Sequence, residues 1–373
     1  MVTRSRAGRR FGVEEEYLLL DAETGLPRDG AEELAASLPD RGVEFEFFQS
    51  QLETATPVCS TAEEAERFLT AFRGEVSEAA ERLGLVLAGT GLPPIGGDVR
   101  GTVTRKPRYE AIAAEMGSMV SRYYSTGTHV HVEVPSRDVG VEVMARLARW
   151  SPTLVALMAN SPVSLGEDTG FESWRYTTLL HWPTAGYPPG FADGADYERM
   201  VQDLVRSGVL LDPALVNWSI RLSEQYPTVE LRTADAQLEP RDAVAFAAIV
   251  RAIVEQCVAD AEAGEPRPGI RPHTLQAGHW VAAKHGLGDE LVDPLSGERR
   301  PAFELVEELL AHVAEALEAA GDLPRIERFL ERRRREGAPA AIQRRHWEER
   351  GIPGLVELYA QGSAGGARGE GGA

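Results

Sequence analysis

The chain has 373 residues, of which 43% are hydrophobic and 26% charged, a composition typical of a globular protein with a large core. Its formal net charge of −19 repels a phosphate backbone, so general nucleic-acid binding is not expected. The two cysteines, Cys59 and Cys257, form no metal-type pair, and no stretch is apolar for long enough to span a membrane. We therefore expect a cytoplasmic protein that contacts neither nucleic acid nor membrane.

No Pro/Ser-rich or charged linker divides the chain, so we predict a single catalytic domain over residues 11–361. The basic residues 1–10 and the Gly/Ala-rich residues 362–373 have little apolar surface to bury and are predicted to be disordered. The apolar stretch 143–158 fits either a core helix or a dimer surface, which leaves a homodimer open.

The first elements combine strands with one long helix. Residues 11–20 and 45–56 have the composition of strands, and capping-box residues at 60–64 precede a helix that ends before Gly84. A short apolar strand at 85–88 then leads into residues 90–108. This connection is rich in Gly, Pro and basic residues, and we treat it as a candidate lid over an active site.

Alternation predicts a further strand at 127–134, followed by an apolar helix at 139–159 with a kink near Pro152. Two more strands, at 217–222 and 228–233, are spaced as a hairpin. The remaining predicted helices cover 240–263, 273–285, 301–320 and 324–337, with shorter pieces to 360. Strands interrupted irregularly by helices indicate the α+β class with a mostly antiparallel sheet.

Four predicted strands carry ionisable or polar side chains at i, i+2 spacing, which places both members of each pair on one face. These pairs are Glu14 and Glu16, Gln51 and Glu53, His129 and His131, and Glu230 and Arg232. Each pair alone has an ordinary explanation, such as an exposed edge strand, a satisfied core histidine or a surface ion pair. Together they indicate a site, because a bound divalent cation compensates clustered carboxylates, and Mg²⁺ or Mn²⁺ prefers oxygen ligands.

The sequence contains no P-loop, no G-x-G-x-x-G after a strand and no G-x-S-x-G nucleophile motif. The usual nucleotide-binding and hydrolase folds therefore receive no support. Phosphates of a bound nucleotide would have to be held by metal ions and side chains. Arg232 is suited to contact a transferring phosphoryl group and to stabilise its charge.

Five segments resemble, in order, the glutamate-cysteine ligase type 2 family, the carboxylate-amine ligases of bacteria. They are FGVEEEY from Phe11, QLETATP from Gln51, GTHVHV from Gly127, FESWRY from Phe171 and VELRTAD from Val229. The resemblance extends over residues 11–360. It implies a six-stranded, mostly antiparallel, curved sheet related to the catalytic fold of glutamine synthetase and guanidino kinases.

The resemblance also implies roles for individual residues. Metal ligands would be Glu14, Glu16, Glu53, His129 and Glu230. Catalytic residues would be Arg232 and Arg175. Contacts to the nucleotide or substrate would come from Arg232, His131, Arg108 and Tyr109.

The implied reaction begins when ATP, with Mg²⁺ or Mn²⁺, activates a carboxylate as an acyl phosphate. An amine then attacks, which gives an amide, ADP and phosphate. Glutamate and cysteine are the first expectation for acid and amine. The same chemistry with another acid or amine, a metal-dependent phosphotransferase or amide hydrolase on the same sheet, and a non-catalytic sensor remain alternatives.

Overall fold

The main sheet is assembled from strands that lie far apart in the sequence. The computed structural model describes residues 8–39 and 42–364. Its strands are β1 Phe11–Asp21, β2 Glu44–Phe45, β3 Gln51–Ala55, β4 Leu85–Ala88, β5 Gly127–Glu133, β6 Val163–Ser164, β7 Glu167–Asp168, β8 Ile220–Leu222, β9 Thr228–Asp235, β10 Glu290–Val292 and β11 Arg299–Pro301. The order in the main sheet is β2-β3-β1-β5-β9-β8, with β4 also paired to β1, and every pairing is antiparallel.

The mixture of helices and strands and the antiparallel sheet agree with the prediction, but the number of strands does not. Within the described ranges the main sheet has seven strands instead of the expected six. The difference arises from the unusual length of β1. Its first half pairs with β5 through Phe11–Glu15, and its far end, Leu18–Asp21, is free to pair with β4.

The predicted single strand over residues 45–56 is wrong. The segment forms β2 and β3, which pair with each other as a hairpin. Its turn is closed because Gln51 N donates to Phe48 O at 2.9 Å and Phe48 N donates to Gln51 Oε1 at 3.2 Å. Glu46 lies in this turn, so the alternation of side chains along a strand does not set its direction.

Helices account for most of the remaining chain. They are α1 Ala31–Ser37, α2 Ala62–Arg82, α3 Pro107–Met116, α4 Arg137–Leu147, α5 Ser151–Leu157, α6 Trp174–Leu179, α7 Gly194–Arg206, α8 Pro240–Glu262, α9 Pro272–His285, α10 Ala302–Ala320, α11 Leu323–Glu336 and α12 Pro339–Ser363. The predicted helix 139–159 is two helices, α4 and α5, and Pro152 lies in the first turn of α5, where its missing N–H costs nothing. None of the helices in residues 8–39 and 42–364 is both long and apolar enough to cross a bilayer.

The core lies between the sheet and the helices that cover one of its faces. α8 is buried along most of its length and packs against β1, β5, α2 and α4. Val13 and Val130, from the two central strands, share one hydrophobic cluster with α8. α2 begins with the predicted capping box, in which Thr61 and Glu64 bond each other's backbone. The i, i+2 pairs of ionisable residues therefore lie on the other face of the sheet, away from α8.

The predicted disordered ends are only partly described, since residues 1–7 and 365–373 lie outside the described ranges. Next to the first of these segments, Arg9 forms an ion pair with Glu255 at 3.0 Å. At the other end the predicted boundary is too early. α12 continues to Ser363, which is fully buried and donates its hydroxyl to Leu87 O at 2.6 Å. Residues 362–364 therefore belong to the folded part of the chain.

Candidate active site

The register of the central strands brings the predicted site residues to one face of the sheet. Glu14 lies opposite His129, Glu16 opposite Glu53, and His131 opposite Glu230. Residues that oppose each other on neighbouring strands share a face and lie within side-chain reach. The i, i+2 pairs singled out in the sequence are therefore neighbours in space.

One group of three side chains has the spacing of a metal site. Glu14, His131 and Glu230 each offer one ligand atom, and these atoms lie within 4.8 Å of one another. This spacing would allow the three side chains to hold one divalent cation. The structure thus adds His131 to the expected ligands Glu14 and Glu230, and the expected His129 lies 3.5 Å from Glu14 and 3.8 Å from Glu16.

The surroundings of the two ring nitrogens of His131 fit this role. Its Nδ1 lies 3.1 Å from Thr228 Oγ1, and its Nε2 is buried without a hydrogen-bond partner. Nε2 is 3.0 Å from Glu14 Oε1, but the direction is unsuitable for a hydrogen bond. When Nδ1 carries the proton and donates it to Thr228, Nε2 presents its lone pair to a cation. The donor set therefore fits Mg²⁺ or Mn²⁺, with two carboxylates and one imidazole.

His129 is placed between this group and an arginine. It is 2% exposed, and its Nδ1 lies 3.5 Å from Glu14 Oε2 and 3.5 Å from Arg232 Nη1. Burial and the charge of Arg232 lower the pKa of His129 to about 4. His129 is consequently neutral at physiological pH. Burial alone would raise the pKa of Glu14, but the adjacent imidazoles of His129 and His131 lower it well below the usual range.

Beside Glu14 the face opens into a cavity of about 270 Å³. Its charged lining residues are Glu14, Glu16, Glu46, Glu53, Arg108, Arg175, Arg221 and Arg232, and apolar side chains such as Phe47, Ile112, Trp182 and Leu215 complete the wall. Four carboxylates therefore face four guanidinium groups among these lining residues. A cavity of this kind suits ligands that carry both charges, such as an amino acid.

Three of the carboxylates crowd one another. Burial and the charge of Glu46 raise the pKa of Glu16 to about 8, and the same two causes raise the pKa of Glu53 well above its usual range. Burial also raises the pKa of Glu46, which accepts a hydrogen bond from Tyr109 Oη at 3.2 Å. Sequence reasoning missed Glu46, although a carboxylate between Phe45 and Phe47 is a detectable signal.

Two arginines, one on β8 and one on β9, form hydrogen bonds with Glu230. Arg232 forms a short hydrogen bond to Oε1, and Arg221 Nε donates to Oε2 at 2.6 Å. Burial would raise the pKa of Glu230, but the charges of both arginines lower it well below the usual range. Sequence reasoning also missed Arg221. Its position opposite Glu230 follows from the β8–β9 pairing, which the sequence predicts only as a hairpin.

Arg175 reaches the cavity from outside the sheet. It lies on α6, whose first turn is capped by the Ser173 hydroxyl, and it is 3% exposed. Its Nε donates to Ser125 Oγ at 3.0 Å, and its Nη1 lies 3.7 Å from Asp235 Oδ1. The structure therefore places this predicted catalytic residue at the wall of the cavity.

The mouth of the cavity is formed in part by α3. Arg108, in the first turn, forms a bidentate ion pair with Asp212 at 3.0 and 3.1 Å. Tyr109, the next residue, points inward to Glu46 and Phe45 O. Both predicted contact residues thus line the cavity, although Arg108 is engaged by an acidic partner.

The expected lid over residues 90–108 is not supported as a single moving segment. Thr90 and Gly91 are buried and hydrogen-bonded, because Thr90 Oγ1 donates to Asn160 O at 2.9 Å and Gly91 N donates to the same oxygen at 3.1 Å. Of the predicted segment, only Arg108 lines the cavity. Residues 90–94 are therefore buried, whereas residues 98–100 are exposed.

The sequence as a whole matches the model of one family, described as glutamate-cysteine ligase family 2, over residues 10–359. A protein of Salinispora tropica with the provisional name glutamate-cysteine ligase 2 is 41% identical and covers 91% of each chain. A relative from Rhodopirellula baltica with the same provisional name is 36% identical over 90% of this chain and 93% of its own.

Solved structures with much lower identity have a related fold. A glutamate-cysteine ligase from Francisella tularensis, determined in complex with AMP, has a TM-score of 0.68 and 12% identity over 96% of this chain and 88% of its own. A bifunctional glutathione synthetase from Pasteurella multocida has a TM-score of 0.69 and 16% identity over 96% of this chain, which spans about half, 52%, of that protein. At these identities the likeness concerns the fold alone. The family match and the close relatives establish that this chain belongs to glutamate-cysteine ligase family 2.

Proposed function

We propose that the protein joins the γ-carboxylate of glutamate to the amino group of cysteine with ATP, through an acyl phosphate. A carboxylate oxygen of glutamate attacks the γ-phosphorus of ATP, and ADP leaves. The cysteine nitrogen then attacks the acyl carbon, phosphate leaves and the nitrogen loses a proton. The products are γ-glutamylcysteine, ADP and phosphate.

One observation carries this proposal. The Glu14, His131 and Glu230 group lies on the same sheet face as Arg221 and Arg232, next to a cavity of about 270 Å³ with mixed charge. Family membership supports carboxylate-amine ligase chemistry for such a face. The AMP bound in the Francisella tularensis enzyme supports the use of an adenine nucleotide.

The residues have separable tasks in this reaction. Glu14, His131 and Glu230 would hold Mg²⁺, which when bound neutralises triphosphate oxygens and aligns them for transfer. Arg232 and Arg221 stabilise the charge that develops on the transferring phosphoryl group.

Other parts of the cavity protect the intermediate and receive the substrate. Phe47, Ile112 and Trp182 exclude water and so limit hydrolysis of the acyl phosphate. Arg175 offers a guanidinium to an anionic group of a substrate.

The experiment measures ADP formation with Mg²⁺ and glutamate across a panel of amines, and identifies the product by mass spectrometry. We expect ADP formation that requires both glutamate and cysteine. Glu14→Gln and Glu230→Gln each lower kcat by about 100-fold or more, as expected when a charge contact in the transition state is lost. Mg²⁺ also raises the Tm of the wild type but not of these variants.

Glu133→Gln is the matched control, because Glu133 lies on β5 beyond the site and pairs with Arg10 at 2.7 Å. Its activity remains within about twofold of wild type. ADP formation with another amine or acid but not with cysteine or glutamate would keep the ligase chemistry and change the substrate. Phosphate release without any amine would favour a hydrolase, and ligand binding without turnover would favour a sensor.

A further inference from the structure

Asp235 is a buried carboxylate that lies beside Arg175, a residue of the cavity wall, and the proposed reaction does not use it. It is 1% exposed. Its Oδ2 accepts hydrogen bonds from Ser161 Oγ at 2.7 Å and Asn160 N at 2.8 Å, and its Oδ1 accepts one from Ser173 Oγ at 2.9 Å. These three bonds come from two segments of the chain, residues 160–161 and Ser173, and they fix the orientation of both oxygens.

A bulge in β9 brings Asp235 to the functional face. Leu231 lies opposite Val130, but Ala234 lies opposite Thr128, so β9 contains one extra residue between these pairs. One extra residue reverses the alternation of the following side chains. Asp235 consequently lies opposite Gly127, on the face of Glu230 and Arg232. In a regular strand it would point into the opposite layer.

The charge of Asp235 is compensated by Arg175 in an unusual way. The distance from Asp235 Oδ1 to Arg175 Nη1 is 3.7 Å, which is too long for a good hydrogen bond but short enough for strong attraction in a buried site. The oxygens of Asp235 are occupied by hydroxyl and amide donors instead. Nη1 of Arg175 has no hydrogen-bond partner in the described part of the chain. The guanidinium is thus held by the Nε bond to Ser125 and by the charge of Asp235, while Nη1 makes no hydrogen bond.

The backbone around this pair has no room for additional side-chain atoms. A Cβ at Gly127 would lie 2.3 Å from Arg175 Nη2, and a Cβ at Gly91 would lie 2.8 Å from Asp235 Cγ. Contacts this short require the pair to move. The two glycines therefore let β5 and the segment after β4 close around the carboxylate and the guanidinium.

We infer that Asp235 is a positioning residue, which fixes the Arg175 guanidinium at the cavity wall so that this guanidinium receives an oxyanion of a substrate. The inference rests on the proposed function for the identity of the substrates. That oxyanion is a carboxylate of the acid substrate or a phosphate of the nucleotide. Separate measurements with glutamate and ATP distinguish these two sources.

The test is a double-mutant cycle with Asp235→Asn, Arg175→Met and the double variant, in which the dissociation constants of glutamate and ATP are measured by calorimetry. Asp235→Asn weakens binding of one of the two ligands by about 10- to 100-fold, the range seen for groups that orient a binding residue. In the Arg175→Met background the same change has an effect below about twofold, because the two residues act as a unit. Equal weakening in both backgrounds, or unchanged binding in Asp235→Asn, overturns the inference.

A matched control separates positioning from general stability. Asp322 forms a similarly buried pair with Arg251, with side chains 2% and 3% exposed, and neither residue lines the cavity. Asp322→Asn lowers Tm without changing either dissociation constant. If it weakens ligand binding as much as Asp235→Asn, the effect of Asp235 is only structural and the inference fails.

A milder variant covers the case in which Asp235→Asn does not fold. Ser161→Ala keeps the charge and removes one hydrogen bond from Asp235, together with the acceptor of Arg175 N at 3.0 Å, so it weakens binding of the same ligand by about 2- to 10-fold. Unchanged binding in this variant counts against the inference. Because binding is measured at equilibrium, a wild type that binds ligand but forms no product overturns the proposed function and still allows the cycle to be read. Normal turnover with unchanged binding in Asp235→Asn overturns the inference alone.

Discussion

At the scale of single residues, alternation along β1 separates three adjacent glutamates by function. Glu14 and Glu16 face the site, whereas Glu15 points to the opposite layer and is fully buried against Arg73. Each carboxylate is compensated locally: histidines approach Glu14, a backbone amide of Gly127 donates to Glu16 at 2.7 Å, and a guanidinium meets Glu15. The same residue type therefore has three different ionisation environments.

Glu16 is expected to make stability depend on pH in the metal-free protein. Its pKa is about 8 in the folded state and about 4.3 in an unfolded chain, so between these values only the folded state retains the proton. Raising the pH through this window lowers the free energy of unfolding, by at most about 1.4 kcal/mol per pH unit, and above pH 8 the loss levels off. Urea unfolding in EDTA at pH 6 and at pH 8 measures this decrease in the free energy of unfolding. The decrease should be smaller in Glu16→Gln, and an identical decrease in both proteins would contradict the assignment.

At the scale of elements, one buried arginine joins α2 to the sheet. Arg73 donates to Glu15 Oε1 at 2.5 Å and to the carbonyl oxygens of Gln237 and Leu238 at 3.0 and 2.9 Å. It therefore ties α2, β1 and the segment that precedes α8. Since that segment follows β9 directly, this contact also supports the strand that carries Glu230.

Arg73→Met is expected to lower the free energy of unfolding by about 3–5 kcal/mol, because it leaves Glu15 as an uncompensated buried charge. Chemical denaturation measures this change. Arg67→Met, at an exposed position of the same helix, serves as the control and should stay within about 0.5 kcal/mol of wild type. A small effect of Arg73→Met would mean that the Glu15–Arg73 pair contributes little to stability.

The capping box of α2 offers a smaller, local test. Thr61→Ala removes the side-chain acceptor for Glu64 N, at 3.3 Å, and should lower the free energy of unfolding by about 1 kcal/mol. Thr70→Ala, an exposed position in the middle of α2, leaves it unchanged or slightly higher because alanine is the better helix former. The two denaturation curves should therefore move in different directions. Equal changes in the free energy of unfolding would mean that the cap contributes nothing to stability.

At the scale of the whole molecule, segments that are distant in sequence meet beside the cavity. Arg108 and Asp212 are 104 residues apart in sequence, and their ion pair joins α3 to the connection before β8. Both side chains are partly exposed, at 46% and 37%, so the pair contributes little to stability. Its significance is that it occupies a guanidinium otherwise available to a ligand.

If Arg108 contacts the nucleotide, Asp212 competes for it. Asp212→Asn should then lower the KM for ATP by up to about fivefold, the size of an exposed ion pair, with little change in Tm. Arg108→Ala should raise the same KM. Steady-state kinetics at varied ATP measures both effects, and Asp203→Asn, which removes a remote exposed pair with Arg206, is the control. An unchanged KM in Arg108→Ala would remove this residue from the nucleotide site.

Much of the candidate site was predictable because its signals are local. The i, i+2 pairs on β1, β5 and β9 need only the period of a strand, and a strand's period is set by backbone geometry. The same holds for α2, whose cap and apolar spacing lie within its own sequence. Glu46 was missed because the β2–β3 turn depends on hydrogen bonds between Phe48 and Gln51, which a strand pattern does not reveal.

By itself, the sequence determined the ionisable faces of the strands, the long helices and the family, since each depends on residue types at short spacing or on ordered motifs. Tertiary structure decided which ligands meet. It grouped His131 with Glu14 and Glu230, set Arg221 opposite Glu230, and turned Asp235 to the functional face through a bulge. These outcomes depend on register and packing between strands that are tens to hundreds of residues apart in the chain, where a shift by one residue would move a side chain to the other face.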